Sequence, residues 1–383
     1  MTKYQIALDK IATDLVELSA NVLENEKVLL YYDIDNTDLV NVVEEKCKNK
    51  KCNITHFTRN LEKEVEILSS LNDDEFLKYF DLERKLLAET DNIITIRTCE
   101  NPEILKTLSP EKHKLYTQIK KDIHHRRMDG SVKWTLIYWP TNYEAKKENL
   151  SFDKYFDSFV GSCDQPWDKI KKAQSFLADL LNKGKKLELF AHDTHVTMGI
   201  EGMTFCNSTI KCNYPGSEVF SAPVRDSVNG TIFAPGEYLY DGHVMTDLHI
   251  FIKDGRITEK SYAEINDKAF QGILNSSPNS RYFGEIAFGT NPGLTKRFFN
   301  GLLNEKVAGS FHMAIGECYT ETKDEDGKKI NLNNGNKNTP IHWDITILMH
   351  SQYGGGKVVL DGKVISQNGL FLAPELAILN PKL

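Results

Sequence analysis

The stretch Ile341-His342-Trp343-Asp344-Ile345-Thr346-Ile347-Leu348-Met349 places an imidazole and a carboxylate two residues apart in a strand-like alternation. Ile341, Trp343, Ile345, Ile347 and Met349 then share one face, while His342 and Asp344 project side by side from the other. Neutral imidazole and carboxylate oxygen are both good ligands for zinc, cobalt or manganese, so the pair suits one cation; a surface strand with a chance H-x-D also accounts for it. Phe311-His312-Met313-Ala314-Ile315-Gly316 alternates in the same way, and the face carrying His312 otherwise holds only Ala314 and Gly316. Small neighbours leave room beside an imidazole, although a hydrogen-bonded core histidine fits the pattern too. Glu285 lies in the apolar run Phe283-Gly284-Glu285-Ile286-Ala287-Phe288-Gly289, and Glu218 repeats the theme in Ser217-Glu218-Val219-Phe220-Ser221-Ala222-Pro223. An acid in such a setting either lies on the open side of a half-buried strand or needs a partner, because burying a lone carboxylate is costly.

Combined, the four segments favour a metal centre over coincidence. Each offers one or two oxygen or imidazole donors with no cationic residue nearby, and all fall in the glycine-rich second part of the chain. Glu218, Glu285, Asp344, His312 and His342 supply three negative charges and two neutral imidazoles, which leaves two divalent ions at +1 before a bridging hydroxide. Two cations about 3.5 to 4 Å apart recur in hydrolases, where they clamp nucleophile and leaving oxygen. His192, His195, His243 and His350 read as structural, as does His249, whose neighbour Asp247 shares a face with Lys253. H-E-x-x-H, G-x-S-x-G, a Walker A loop and G-x-G-x-x-G are all absent.

Such donors need a scaffold, and the glycine distribution outlines one. Of 24 glycines only Gly130 and Gly161 precede Gly184, so tight turns concentrate beyond a boundary near 184 to 190. A chain of 383 residues exceeds what one core usually supports, which gives domains at 1–186 and 187–383. The first alternates amphipathic stretches with the apolar runs Val28–Tyr32, Ile93–Ile96 and Thr135–Tyr138, the signature of an α/β domain with a mostly parallel sheet. The second carries turn signals at Pro215-Gly216, Asn229-Gly230, Pro235-Gly236, Asp254-Gly255, Pro292-Gly293, Asp361-Gly362 and Asn368-Gly369, which read as hairpins and short loops in a mixed or barrel-like β domain. The polar stretch Thr322 to Thr339 predicts a mobile loop, placed to serve as a lid.

Charge and composition exclude several classes. Lys plus Arg is 47 against 54 Asp plus Glu, so a net charge of -7 gives no electrostatic footprint for nucleic acid or an anionic membrane. The N-terminal stripe of Leu8, Ile11, Leu15, Leu18 and Val22 is broken by Asp9, Lys10, Asp14 and Glu17, so neither a signal-peptide core nor a spanning segment is expected, and the location expected is cytoplasmic. Seven scattered cysteines without C-x-x-C are read as reduced structural thiols.

The sequence resembles the thermophilic-aminopeptidase family of metallopeptidases, of the aminopeptidase T and aminopeptidase S type. The resemblance rests on residues 213–223, 284–291, 304–316, Tyr319, 341–344 and 360–365 in that order. It implies a two-metal exopeptidase that removes N-terminal residues from peptides with a free N-terminus, assembled as a homodimer, with an α/β N-terminal domain joined to a β-rich, mixed α+β metal-binding domain. Glu218, Glu285, His312, His342 and Asp344 match metal-ligand positions, for zinc, cobalt, manganese or magnesium. Tyr319 matches the catalytic tyrosine, Glu285 is the candidate bridging or proton-handling carboxylate, and Glu305 matches a residue placed to orient a ligand. The chain departs from the family at Ser217, where glycine is usual, and at Thr194-His195-Val196-Thr197, where Thr-Asp-Leu-Thr is common. Two alternatives stay open: a two-metal hydrolase of another substrate class such as a phosphoester, and a non-catalytic small-molecule-binding protein.

Overall fold

The apolar runs of the first part become strands buried on both faces, and such strands pair in parallel where helices cover the sheet. In the computed structural model, which describes residues 2–34, 37–98, 101–123, 125–128 and 130–382, the chain forms two compact units. The first comprises Met1–Cys163 with Ile210–Pro215. Its five-stranded parallel sheet runs Asn53–Arg59, Lys27–Asp33, Asn92–Arg97, Lys133–Tyr138, Cys212–Asn213. Asn53–Arg59 is an edge strand with an open, alternating pattern, and its polar Asn-Ile-Thr-His-Phe-Thr-Arg sequence hides it among loops.

One face of this sheet packs Leu29, Tyr31 and Ile93 against Phe76, Phe80, Leu87, Tyr116 and Ile119. Tyr31 has its hydroxyl satisfied in that core by donating to Glu83 at 2.8 Å, and Lys120 pairs with the same carboxylate at 2.7 Å. The first helix, Lys3–Thr13, starts at a reciprocal Thr2/Gln5 capping box and continues into a π-helical turn, Asp14–Ser19. That wider turn shifts the phase of the apolar stripe: Leu8, Ile11 and Leu15 are buried, whereas Leu18 is 50 % exposed.

The second unit, Asp164–Thr209 with Gly216–Leu383, holds a nine-stranded and a five-stranded sheet. Asp254-Gly255, Asp361-Gly362 and Asn368-Gly369 make hairpin turns with both residues at positive φ, as anticipated for such dipeptides. Asn229-Gly230 and Pro235-Gly236 do not. Both lie inside the strand Asn229–Tyr240, the second at a register shift between Ala234 and Glu237, and the turn falls instead at Asp241-Gly242. A Pro-Gly pair disrupts a ladder as readily as it ends one, so a bulge and a turn look alike in sequence.

The stretch 322–339, expected to be mobile, is fastened down. Ile330 and Leu332 are buried with Cys206 against Phe220 and Tyr319. Glu325 accepts from Asn207 Nδ2 at 2.9 Å, and Asn334 Nδ2 donates to the carbonyls of Pro223 and Phe283, each at 2.9 Å. Several of its polar side chains thus bond inward, while Lys323, Lys328 and Lys329 remain exposed. Cys47, Cys52, Cys163, Cys206 and Cys318 are thiols, and Cys99 lies outside the described residues. Among the described residues no helix is long and apolar enough to cross a membrane.

Phe76 is fully buried among aromatic rings, with Phe80 at 5.8 Å. Phe76→Ala should lower the unfolding free energy by about 3 to 5 kcal/mol, read by denaturant titration; a loss below about 1 kcal/mol would contradict this packing.

Candidate metal centre

The five-stranded sheet of the second unit is antiparallel, in the order His342–Leu348, Ser310–Gly316, Phe283–Gly289, Glu218–Ser221, Cys206–Ser208. Its register brings together residues far apart in sequence. Glu285 stands opposite Ala314, which stands opposite Asp344; Ala287 stands opposite His312; Gly289 stands opposite Glu218; Gly316 stands opposite His342. Directly opposed residues share a face, so all five predicted donors project from one side of the sheet. Alanine and glycine fill the intervening positions and leave space among them. The other face carries Trp343, Ile345, Met313 and Ile286, all buried.

The donors meet in two groups that share Glu285. Ligand atoms of Glu218, Glu285 and His312 lie within 4.8 Å of one another, and so do those of Glu285, His342 and Asp344. His312 Nε2 is 3.4 Å from Glu218 Oε2 and 3.5 Å from Glu285 Oε1, while His342 Nε2 is 3.0 Å from Glu285 Oε2 and 3.7 Å from Asp344 Oδ1. Glu218 Oε2 and Asp344 Oδ1 are buried oxygens without a hydrogen-bond partner. Orphaned carboxylate oxygens beside imidazole nitrogens fit a divalent cation, whose charge they would satisfy.

The local electrostatics point the same way. Burial pushes the Glu218 carboxyl up despite Lys306 and His312. Burial also acts to raise Glu285, but hydrogen bonds from His312 and His342 outweigh it and hold the group well below the usual carboxylate range. Burial alone would lower both imidazoles, yet the surrounding carboxylates carry His312 up to about 9 and His342 up to about 10. Positive charge is thus strongly favoured on this face. The phenol of Tyr319 is raised well above its ordinary value, first by burial and then by Glu285 and Asp344, so it keeps its proton. Its ring packs on His342 at 4.9 Å and on Phe220 at 5.5 Å.

Supporting atoms orient the donors. The Glu317 carbonyl accepts from His342 Nδ1 at 2.7 Å, which directs Nε2 toward Glu285. Gly284 permits this: a Cβ there would lie 2.1 Å from the Glu317 oxygen. Ser217 adopts φ 107°, a conformation suited to the glycine usual at this position. Its hydroxyl is held by Thr290 Oγ1 at 2.7 Å and Gln174 Nε2 at 3.0 Å, and Gln174 also donates to the Glu218 carbonyl at 3.1 Å. These bonds offset the backbone strain just before Glu218.

One expectation is overturned. No cation was anticipated near the donors, yet Lys306 is buried with its ammonium 2.6 Å from Glu218 Oε1 and 2.8 Å from Glu305 Oε1. A lysine in the segment 304–316 gives no sequence signal for burial, because this residue type is ordinarily exposed. Glu305 shares that ammonium with Glu218, and burial pushes its carboxyl up to about 8. His192, His195, His243, His249 and His350 belong to neither donor group. His249 pairs with Glu264 at 3.1 Å and His350 bonds the Ala308 carbonyl at 2.6 Å.

A family model described as thermophilic metalloprotease (M29) matches residues 4–362. The chain belongs to that family. It is 23 % identical over 366 residues to aminopeptidase 2 of Geobacillus stearothermophilus, covering 86 % of this chain and 88 % of the relative. It is 21 % identical over 355 residues to aminopeptidase AmpS of Bacillus subtilis, covering 83 % and 86 %. Aminopeptidase T of Thermus aquaticus is 29 % identical over 158 residues, 39 % of this chain and 36 % of that protein. The fold matches wild-type AmpT from Thermus thermophilus with a TM-score of 0.76 at 18 % identity, over 97 % of this chain and 100 % of that one.

Gly284→Ala should displace the Glu317 carbonyl and weaken retention of divalent metal, measured by dialysis against zinc. Gly272→Ala, in a helix with open space around it, should leave metal retention unchanged and raise stability by about 0.4 to 1 kcal/mol. Equal metal retention by both variants would refute the role assigned to Gly284.

Proposed function

We propose that this metalloprotease-family chain is an aminopeptidase whose centre holds two divalent metal ions. The observation that carries the proposal is the pair of donor groups sharing Glu285 on one sheet face. Glu218, Glu285 and His312 would hold one ion, and Glu285, His342 and Asp344 the other. Zinc, cobalt, manganese and magnesium are the candidate ions. Glu285 is read as the bridging ligand because its two oxygens face different imidazoles, and that shared position is its catalytic part.

Divalent cations in such a centre supply Lewis acidity, which acidifies a water and polarises the scissile carbonyl. The chain's own groups do the rest. His342, fixed through the Glu317 carbonyl, and His312, fully buried in the sheet, keep their Nε2 atoms aimed inward. Asp344 and His342 are only partly buried, which leaves that end of the centre open to a peptide. Tyr319 retains its proton and is the donor for the oxyanion that forms at the carbonyl, a contribution of about 3 kcal/mol when preorganised.

The proposal extends to peptides with a free N-terminus as substrates, to a cytoplasmic homodimer, and to a catalytic domain within 187–383 in which all the site residues lie. The net charge of -7 supports the absence of nucleic-acid and membrane partners. A phosphoesterase would need cationic groups for the phosphate, and Lys306 is already engaged by Glu218 and Glu305. A purely ligand-binding role gives no reason for orphaned carboxylate oxygens beside imidazoles.

Chelator-stripped protein should cleave unblocked peptides only after zinc or cobalt is restored, and should spare N-acetylated ones. Equal cleavage of blocked and unblocked peptides would remove the exopeptidase assignment. Tyr319→Phe should lower kcat by about 100-fold with metal content preserved, and an unaltered kcat would dismiss the tyrosine as oxyanion donor. Sedimentation at the mass of a single chain would rule out the dimer.

A further inference from the structure

We infer that Lys306 is a positioning residue of the metal centre, holding one oxygen of Glu218 so that only the other faces a cation. The inference rests on the metal-centre reading above and concerns how one ligand is presented.

A buried ammonium is unusual. Removing it from water costs several kcal/mol unless charged partners offset the loss. Lys306 is 1 % exposed and meets both Glu218 Oε1 and Glu305 Oε1 at salt-bridge distance. The other oxygen of Glu218, Oε2, has no hydrogen-bond partner and faces the His312 side of the cluster, 3.4 Å from Nε2. The two oxygens of one carboxylate therefore have different tasks. A carboxylate with both oxygens free can bind a cation through both. With Oε1 held by an ammonium, Glu218 offers Oε2 alone, and that oxygen is already aimed to the ion's side of the cluster before any cation arrives.

The backbone delivers Lys306 to this position. Gly289, the residue opposite Glu218 in the sheet, has no side chain; a Cβ there would lie 2.2 Å from the Val307 carbonyl oxygen and 2.8 Å from that of Glu305. The segment 305–307 can thus lie against the end of the strand. It is pinned by Asn291 N–H donating to the Lys306 carbonyl at 3.0 Å and Lys306 N–H donating to the Leu303 carbonyl at 3.2 Å. The short helix Gly301–Asn304 before it is capped by Asn300. The ammonium is therefore placed by a tethered backbone at both ends of the turn.

A purely structural alternative is that Lys306 only neutralises Glu305. Zinc titration of chelator-stripped protein separates the two, using the unaltered chain, Lys306→Met, and Lys306→Met combined with Glu305→Gln. The double variant removes both charges of the Lys306–Glu305 pair together. If Lys306 positions Glu218, both variants should bind one zinc at least about 10-fold more weakly, the usual size of such supporting effects, with the other zinc little changed. If the double variant binds zinc like the unaltered chain, the inference is overturned and Lys306 serves Glu305 alone. An unaltered chain that takes up no zinc would overturn the metal-centre reading and this inference with it. A crystal structure of the unaltered chain grown with zinc gives a readout independent of variant folding. Glu218 should contact the ion through Oε2 only, with Oε1 on Lys306, and both oxygens at bonding distance would overturn the assignment.

Discussion

Mutual repulsion among the carboxylates of Glu218, Glu285 and Asp344, crowded on one face of a sheet, is the constraint around which the second unit is organised. Two like charges within 4.8 Å repel by roughly 3 kcal/mol even at an effective dielectric constant of 20. Such a cluster persists only where positive charge is supplied. His312 and His342 stand among the acids, Lys306 pairs with Glu218, and the divalent metal implied by the family would complete the balance.

The same constraint explains features that look unrelated. Alanine at 287 and 314 stands opposite donors, where a larger side chain would fill the space among them, and glycine at 289 and 316 leaves room for the carbonyl oxygens of Val307 and Ile341, each 2.2 Å from where a Cβ would lie. Gly284 lets a carbonyl approach to orient His342, and Gly289 lets a turn approach to deliver Lys306. Gln174 and Thr290 secure the strained backbone at Ser217 that launches the Glu218 strand. The stretch 322–339 packs Ile330 and Leu332 against Tyr319 and Phe220, so a segment of loop composition forms part of the wall.

The sequence by itself determined a good deal. Period-two alternation put His342 with Asp344, and isolated Glu285, Glu218 and His312 among small or apolar neighbours, since strand geometry sends alternate side chains to opposite faces whatever the rest of the chain does. The long apolar runs of the first part required strands buried on both sides, and the parallel sheet followed. Tertiary structure alone decided what depends on pairing between distant segments. Register set Glu285 against Ala314 and Asp344, the sharing of Glu285 between two donor groups arose from that register, and the turn at 305–307 turned an ordinary lysine into a buried cation. The edge strand Asn53–Arg59, the bulge at Pro235-Gly236 and the fastening of 322–339 were hidden for the same reason: a polar residue looks alike in sequence whether its hydrogen bonds go to water or to a backbone brought near by folding.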